Sequence, residues 1–259
     1  MACVYCYSGT GNSLFAARQI AEALDAELRP MTNTAETCDE DVIGFVFPVY
    51  YWGLPKTAER FVKMLKVTKK DPYVFVVTTY GGTAFGVMGV LAKLLKEKGV
   101  NVSYGSALKS VENYTPGYKV NNTPEMRKQY DRDLKAIKRD IALHARKGFA
   151  RPTVLNTIIS NLFFPAKHAD CDKQFTVSDA CAGCGNCRDI CPAGNIRMEE
   201  GKPVFQHRCE HCISCIHACE FNALDWKSAV AKHGRYRHSG VTLEELIALS
   251  DHGQSEANQ

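Results

Sequence analysis

Short apolar runs alternate with stretches of helical periodicity along the first 150 residues. "ACVYCY" (2–7) is apolar enough throughout to read as a strand buried on both faces. "VIGFVFPVY" (42–50) and "PYVFVVTTY" (72–80) are β-branched and aromatic, and predict two more strands. "GNSLFAARQIAEAL" (11–24) places apolar residues at helical spacing, and "AFGVMGVLAKLLKEKG" (84–99) does so before a closing glycine, so both predict helices. "NVSYGSALK" (101–109) predicts the last strand. Strands alternating with helices predict a parallel sheet covered on both faces, an α/β fold. Ligands of such sheets bind beyond the carboxyl ends of the strands.

The pattern changes after the last strand. "EMRKQYDRDLKAIKRDIALHARKGFAR" (125–151) carries much of the positive charge and reads as a helix with a solvated basic face, or as a docking surface for an acidic redox partner. "TVLNTIISNLFF" (153–164) is apolar enough to pack as a helix between two halves. Near the end, Thr242 in "RYRHSGVTLEEL" (235–246) is placed to cap a short helix, and "DHGQSEANQ" reads as frayed. These boundaries divide the chain into a first domain (1–150), a connecting segment (151–172), a cysteine-rich domain (173–226) and a carboxyl-terminal extension (227–259).

Composition sharpens this only at a few points. With 259 residues, 45% apolar and 23% charged, the chain is expected to be globular rather than disordered. The net charge of +4 is mild and comes with no recognised nucleic-acid motif, so no nucleic-acid partner is expected. No apolar run has the length of a membrane span, and "MACVYCYSGTGNS" has no secretory pattern, so a cytoplasmic location is the expectation. Twelve cysteines in such a chain point to thiols held by metal rather than to disulfides.

Eight of the cysteines fall in two runs, "CAGCGNCRDICP" (181–192) and "CEHCISCIHACE" (209–220). Cys181, Cys184, Cys187 and Cys191 map onto Cys209, Cys212, Cys215 and Cys219 at an offset of 28 residues, and "NI" at 195–196 aligns with "AL" at 223–224. Such an internal repeat suggests a duplicated half-domain. Zinc sites usually show two separate ligand pairs, which fits poorly; three cysteines within seven residues suit the turn around a cubane cluster. Thiolate ligands also suit iron–sulfur chemistry.

Over residues 173 to 226 the chain resembles bacterial two-cluster ferredoxins. The resemblance implies one [4Fe–4S] cluster on Cys181, Cys184, Cys187 and Cys219, and a second on Cys191, Cys209, Cys212 and Cys215, the fourth cysteine of each run serving the other cluster. Pro192 follows the first run as in that family, whereas Glu220 stands where a second proline is usual. His207, His211 and His217 are expected beside the clusters or at the surface, not as ligands. Cys3 and Cys6 form a CxxC inside a predicted strand and are expected to be core residues; Cys38 and Cys171 have no assigned role.

Three segments lie at predicted carboxyl ends of strands. "SGTGNS" (8–13) offers backbone N–H groups and hydroxyls at a helix start, a phosphate site. Leu14 occupies the third glycine position of the dinucleotide fingerprint and no P-loop lysine follows, so a single phosphate monoester is expected. "PVYYWGLP" (48–55) supplies three consecutive aromatics, and "TTYGGTAFG" (78–86) supplies paired glycines beside Tyr80. Together these loops look like a flavodoxin, which implies a doubly wound sheet of order 2-1-3-4-5 binding FMN. The resemblance assigns Ser8, Gly9, Thr10, Gly11, Asn12 and Ser13 to the phosphate, Tyr50, Tyr51, Trp52 and Gly53 to one side of the flavin, and Tyr80, Gly81 and Gly82 to the other. Which aromatic stacks is left open.

The whole chain is similar to a family of flavodoxin–ferredoxin fusions from anaerobic microbes, including "FPVYYWGLP", "CIHAC" and "RYRH". That resemblance implies an electron carrier linking one-electron donors such as ferredoxin to a redox partner protein. The alternative is an FMN-dependent reductase of a bound small molecule supplied by the clusters. A redox sensor would need an effector domain, and none is legible.

Overall fold

The structure, a computed structural model, describes residues 1–84, 86–149 and 170–250. Five parallel strands form the main sheet: β1 (Ala2–Cys6), β2 (Glu27–Pro30), β4 (Val42–Pro48), β6 (Tyr73–Tyr80) and β7 (Tyr104–Lys109). Their order is β2-β1-β4-β6-β7, which is the 2-1-3-4-5 order of a doubly wound sheet. The two-residue strands β3 (Thr37–Cys38) and β5 (Lys66–Val67) pair separately. The register puts Tyr5 beside Phe45, and Phe45 beside Val76.

The central strands are buried along nearly their whole length, which is why their sequences are continuous apolar runs. Alternation still divides them between two cores. Val4, Cys6, Val46 and Val77 face helix α1 (Asn12–Leu24) and helix α4 (Pro124–Ala142), through Ile20 and Leu134 among others. Cys3, Tyr5, Phe45 and Val76 face α2 (Lys56–Met64) and α3 (Val87–Lys96), through Phe61 and Leu91. Cys3 and Cys6 therefore point to opposite faces, so the CxxC is not a redox pair; both are fully buried core residues, as expected.

Helix α4 begins at Thr123, whose hydroxyl accepts from the Met126 N–H at 3.3 Å, with Pro124 in the first turn. Tyr130, Leu134, Ile137 and Ile141 form its inner face, while Arg127, Lys128, Arg132, Lys135 and Arg139 are exposed. Among the described residues no helix is long and apolar enough to cross a membrane.

The cysteine-rich half is built from the repeat. It contains β8 (Phe175–Val177), α5 (Asn186–Asp189), β9 (Ile196–Glu199), β10 (Lys202–Phe205), α6 (Ser214–Ala218) and β11 (Leu224–Trp226). The 28-residue offset carries β8 onto β10, α5 onto α6 and β9 onto β11. The antiparallel ladders are β9–β10 and β8–β11, so each joins a strand of one copy to a strand of the other. Helices α7 (Ala229–His233) and α8 (Leu243–Leu249) follow. Thr242 and Glu245 form a reciprocal capping box on α8. The helix predicted at 153–164 and the frayed end lie outside the described residues.

The two halves share a core: Phe175, Ile190, Ile216 and Leu224 belong to the same buried cluster as Val4 and Ile20. Glu210, within the second cysteine run, is 4% exposed and reaches across to α2. It accepts from Thr57 N at 3.1 Å, from Thr57 Oγ1 at 3.1 Å and from Arg60 at 2.5 Å. Pro55 gives α2 no side-chain cap, and the Glu210 carboxylate takes that place at the positive end of the helix.

Candidate functional site

A cavity of about 610 Å³ opens at the carboxyl ends of β1, β4 and β6. The loop between β1 and α1 forms its floor. Gly11 is left-handed, with φ of 97°, and starts α1 with no side-chain cap, so the first N–H groups of the helix are left for an anion. Ser8, Thr10, Asn12 and Ser13 are all buried in the lining, and the Gly11 N–H donates to Ser8 Oγ at 3.1 Å. No cation belongs to this loop, so an anion bound here would be held by N–H and O–H donors alone. An added Cβ on Gly9 would lie 2.5 Å from Tyr50 Oη and 2.6 Å from Ser214 Oγ, so a larger residue here would have to displace those side chains.

The aromatic loop is a tight turn. Tyr50 N donates to Gly53 O at 3.1 Å and Gly53 N to Tyr50 O at 2.8 Å. Between them Tyr51 and Trp52 are left-handed, with φ of 49° and 60°. This is the backbone of a type I′ turn, whose central positions usually go to asparagine and glycine. Tyr50, Tyr51 and Trp52 line the cavity, and Gly53 closes the turn behind them. The Tyr51 ring packs edge-on against Tyr114 at 5.1 Å, and its hydroxyl bonds His211 Nδ1. On the other loop, Tyr80, Gly81 and Gly82 line the same cavity, and a Cβ on Gly81 would meet Glu112 at 2.5 Å. Of the thirteen residues predicted for FMN, only Gly11 and Gly53 lie outside the lining, and both set the backbone of residues that lie within it.

Sequence reasoning missed two walls. One is the loop after β7, where Asn113 donates to Thr10 Oγ1 at 2.7 Å and Tyr114 reaches His211 Nδ1 at 3.1 Å. The signal was present: "ENYTPGY" (112–118) follows a strand in an α/β sheet. The other is the second cysteine run, since His211, Cys212 and Ile213 also line the cavity. His211 is 2% exposed, its Nε2 has no hydrogen-bond partner among the described residues, and burial lowers its pKa to about 4. His217 is also held neutral by burial, with Nε2 donating to Asn113 O at 2.9 Å and Nδ1 accepting from Tyr236 N at 3.0 Å. His207, by contrast, is half-exposed and pairs with Asp172 at 2.9 Å.

The carboxyl-terminal segment braces the loop at residues 8–13 from outside. Tyr236 Oη donates to Asn12 Oδ1 at 2.7 Å, and His238 N donates to Thr10 O at 2.9 Å. Arg18 of α1 donates to Gly240 O and pairs with Glu245 of α8, both at 2.5 Å.

Cys181, Cys184, Cys187 and Cys219, assigned together from the repeat, line one small pocket together. Cys184 is exposed, Cys181, Cys187 and Cys219 are half-buried, and Val177, Met198 and Leu224 complete the wall. The second set lies deeper. Burial pushes the Cys215 thiol far up, and the charges of Cys212, Cys191 and Cys187 push it further. Burial raises Cys191 to about 12, with Cys212 adding to it. Both shifts disfavour free thiolates at these positions. Hydrogen-bond donors already face the sulfurs: Asn195 N lies 3.3 Å from Cys191 Sγ and Ala223 N 3.2 Å from Cys219 Sγ, two contacts related by the repeat. His211 N to Cys209 Sγ, at 3.2 Å, and Ser214 Oγ to Cys212 Sγ, at 3.3 Å, add two more. Hydrogen bonds of this kind tune cluster potentials.

No family model matches the chain, and no curated protein matches it. Among solved structures it is similar to the Trp repressor binding protein from Bacillus subtilis, at 13% identity and a TM-score of 0.36, over 53% of this chain and 95% of that one.

Proposed function

We propose that the chain is an electron-transfer iron–sulfur flavoprotein, with FMN in the cavity and two [4Fe–4S] clusters on the cysteine repeat. One observation carries this reading: Cys212 belongs to the inner cysteine set and also lines the cavity. When bound, FMN supplies one- or two-electron chemistry and each cluster supplies one-electron chemistry. The protein's own contribution is placement. The start of α1 and the hydroxyls of residues 8–13 hold a phosphate, the loops at 50–53 and 80–82 bound a flat ring, and buried His211 and Ile213 exclude water on the cluster side. Such an arrangement suits an adaptor between a low-potential carrier such as ferredoxin and a redox partner protein.

Protein purified without oxygen is expected to carry about eight irons and one FMN per chain. FMN should bind more tightly than riboflavin, because the loop recognises the phosphate. Thr10→Ala should weaken FMN while leaving iron content unchanged. Reduced ferredoxin should reduce the bound flavin, and NADH alone should not. Stoichiometric zinc without acid-labile sulfide, or equal affinity for riboflavin and FMN, would overturn the assignment. Rapid turnover with NADH and a quinone or nitro compound would instead favour a small-molecule reductase.

A further inference from the structure

Away from the cavity, a second set of metal-binding side chains meets on the α2–α3 side of the sheet. Cys3 on β1, Cys38 on β3 and Glu40 just beyond it are all buried, with their ligand atoms within 4.8 Å of one another. The two sulfurs are 3.6 Å apart, and Cys38 Sγ is 3.4 Å from Glu40 Oε2. Tetrahedral zinc, with Zn–S near 2.3 Å and Zn–O near 2.1 Å, sets sulfurs about 3.8 Å apart and sulfur and oxygen about 3.6 Å apart. A disulfide would need sulfurs at about 2.05 Å. Both separations lie within about 0.2 Å of a tetrahedron edge and far from a disulfide.

Arg29 organises the carboxylates beside this cluster. Arg29 donates to Glu40 Oε1 at 2.6 Å, to Glu36 at 3.2 Å and to Glu27 at 2.6 Å, so three carboxylates share one guanidinium. Glu27 is largely exposed, but Glu36 and Glu40 are not. A divalent ion that displaces the two thiol protons leaves the net charge of the cluster unchanged, so no new charge is buried by binding it. Arg29 also fixes the Glu40 carboxylate from behind, which is what the outer partners of metal ligands do. The Tyr5 hydroxyl donates to Glu36 at 2.7 Å and borders Cys38. A purpose is evident in the fold: β3 and β5 are two-residue strands outside the main sheet, and a metal would tie β3 to β1.

We propose that Cys3, Cys38 and Glu40 form a structural zinc site, separate from the cysteine repeat. The test is zinc K-edge X-ray absorption on cluster- and FMN-loaded protein given one equivalent of zinc chloride under argon. The expected result is one zinc per chain with two sulfurs at about 2.3 Å and oxygen at about 2.0–2.2 Å. A Cys3→Ser/Cys38→Ser variant should keep iron and flavin but lose the zinc, and Glu40→Gln should weaken zinc binding at least tenfold. Zinc bound by four sulfurs would place it in the repeat and overturn the proposal. So would no retained zinc, unchanged zinc in the double variant, or a Cys3–Cys38 disulfide in protein kept anoxic throughout. If the double variant fails to fold, the spectrum of the unmodified protein still decides.

Discussion

Tyr51 and Trp52 hold left-handed backbone that a bulky residue adopts only under strain, of order 1 kcal/mol or more for each. Both line the cavity, so the aromatic faces are kept at a cost in turn stability. Under the proposed function, Trp52→Gly should therefore hold or raise the melting temperature while weakening FMN about tenfold, through loss of the flat wall. Thermal melting and an FMN titration on the same sample test this, and a lower melting temperature with unchanged FMN affinity would refute it. Gly9 is under the opposite constraint. Gly9→Ala should lower FMN affinity, because the new methyl group meets Tyr50 Oη and Ser214 Oγ. Removing both oxygens with Tyr50→Phe and Ser214→Ala should restore part of the loss, a coupling readable in a mutant cycle. Independent, additive effects would show that the loop does not press on the cysteine run.

At the scale of elements, helix α2 depends on a carboxylate from the other half of the chain. Glu210→Ala should cost about 2 kcal/mol of stability, since it uncovers the Thr57 N–H at the helix start. Arg60→Ala should cost less than about 1 kcal/mol, because Arg60 is 45% exposed and its share of the ion pair is screened. Denaturant midpoints of the two variants separate the readings: equal losses would mean that the ion pair, not the helix end, is what Glu210 serves. Glu210 also shows the limit of what the sequence reveals. β1, β4, β6 and α1 were legible because burial on both faces, or on one stripe, writes a period into the chain. Edge strand β2 was not named, because "ELRP" lies half-exposed and carries no apolar run. Helix α2 was missed because it is short and sparingly apolar, and its cap lies 153 residues away. The repeat of the cysteine runs was legible because its spacing is written locally, and the structure brings Cys181, Cys184, Cys187 and Cys219 to one pocket. The brace of Tyr236 and His238 on the loop at residues 8–13 was not, since nothing local records a contact across 224 residues.

Across the whole molecule the candidate sites form a sequence from solvent inward. Cys184 is exposed, Cys191 and Cys215 are buried, and Cys212 reaches the cavity wall. Cys187 of the outer set lies close enough to raise the Cys215 thiol of the inner one. Under the proposed function, the outer set is where an external donor meets the protein and the inner set is the one that serves the flavin. The two cysteine sets should then fail differently. Cys184→Ala should lose about four irons, keep FMN, and slow flavin reduction by reduced ferredoxin. Cys212→Ala should also lose about four irons, but weaken FMN as well, because Cys212 shares the cavity wall and its neighbour Ser214 presses on Gly9. Iron analysis, FMN titration and stopped-flow absorbance under argon would be run on both variants and the unmodified protein. If Cys184→Ala released FMN while Cys212→Ala retained it, or if ferredoxin reduced the flavin equally fast in all three proteins, the inward order would be wrong, and the outer cysteines would have to be read as structural rather than as the entry point for electrons.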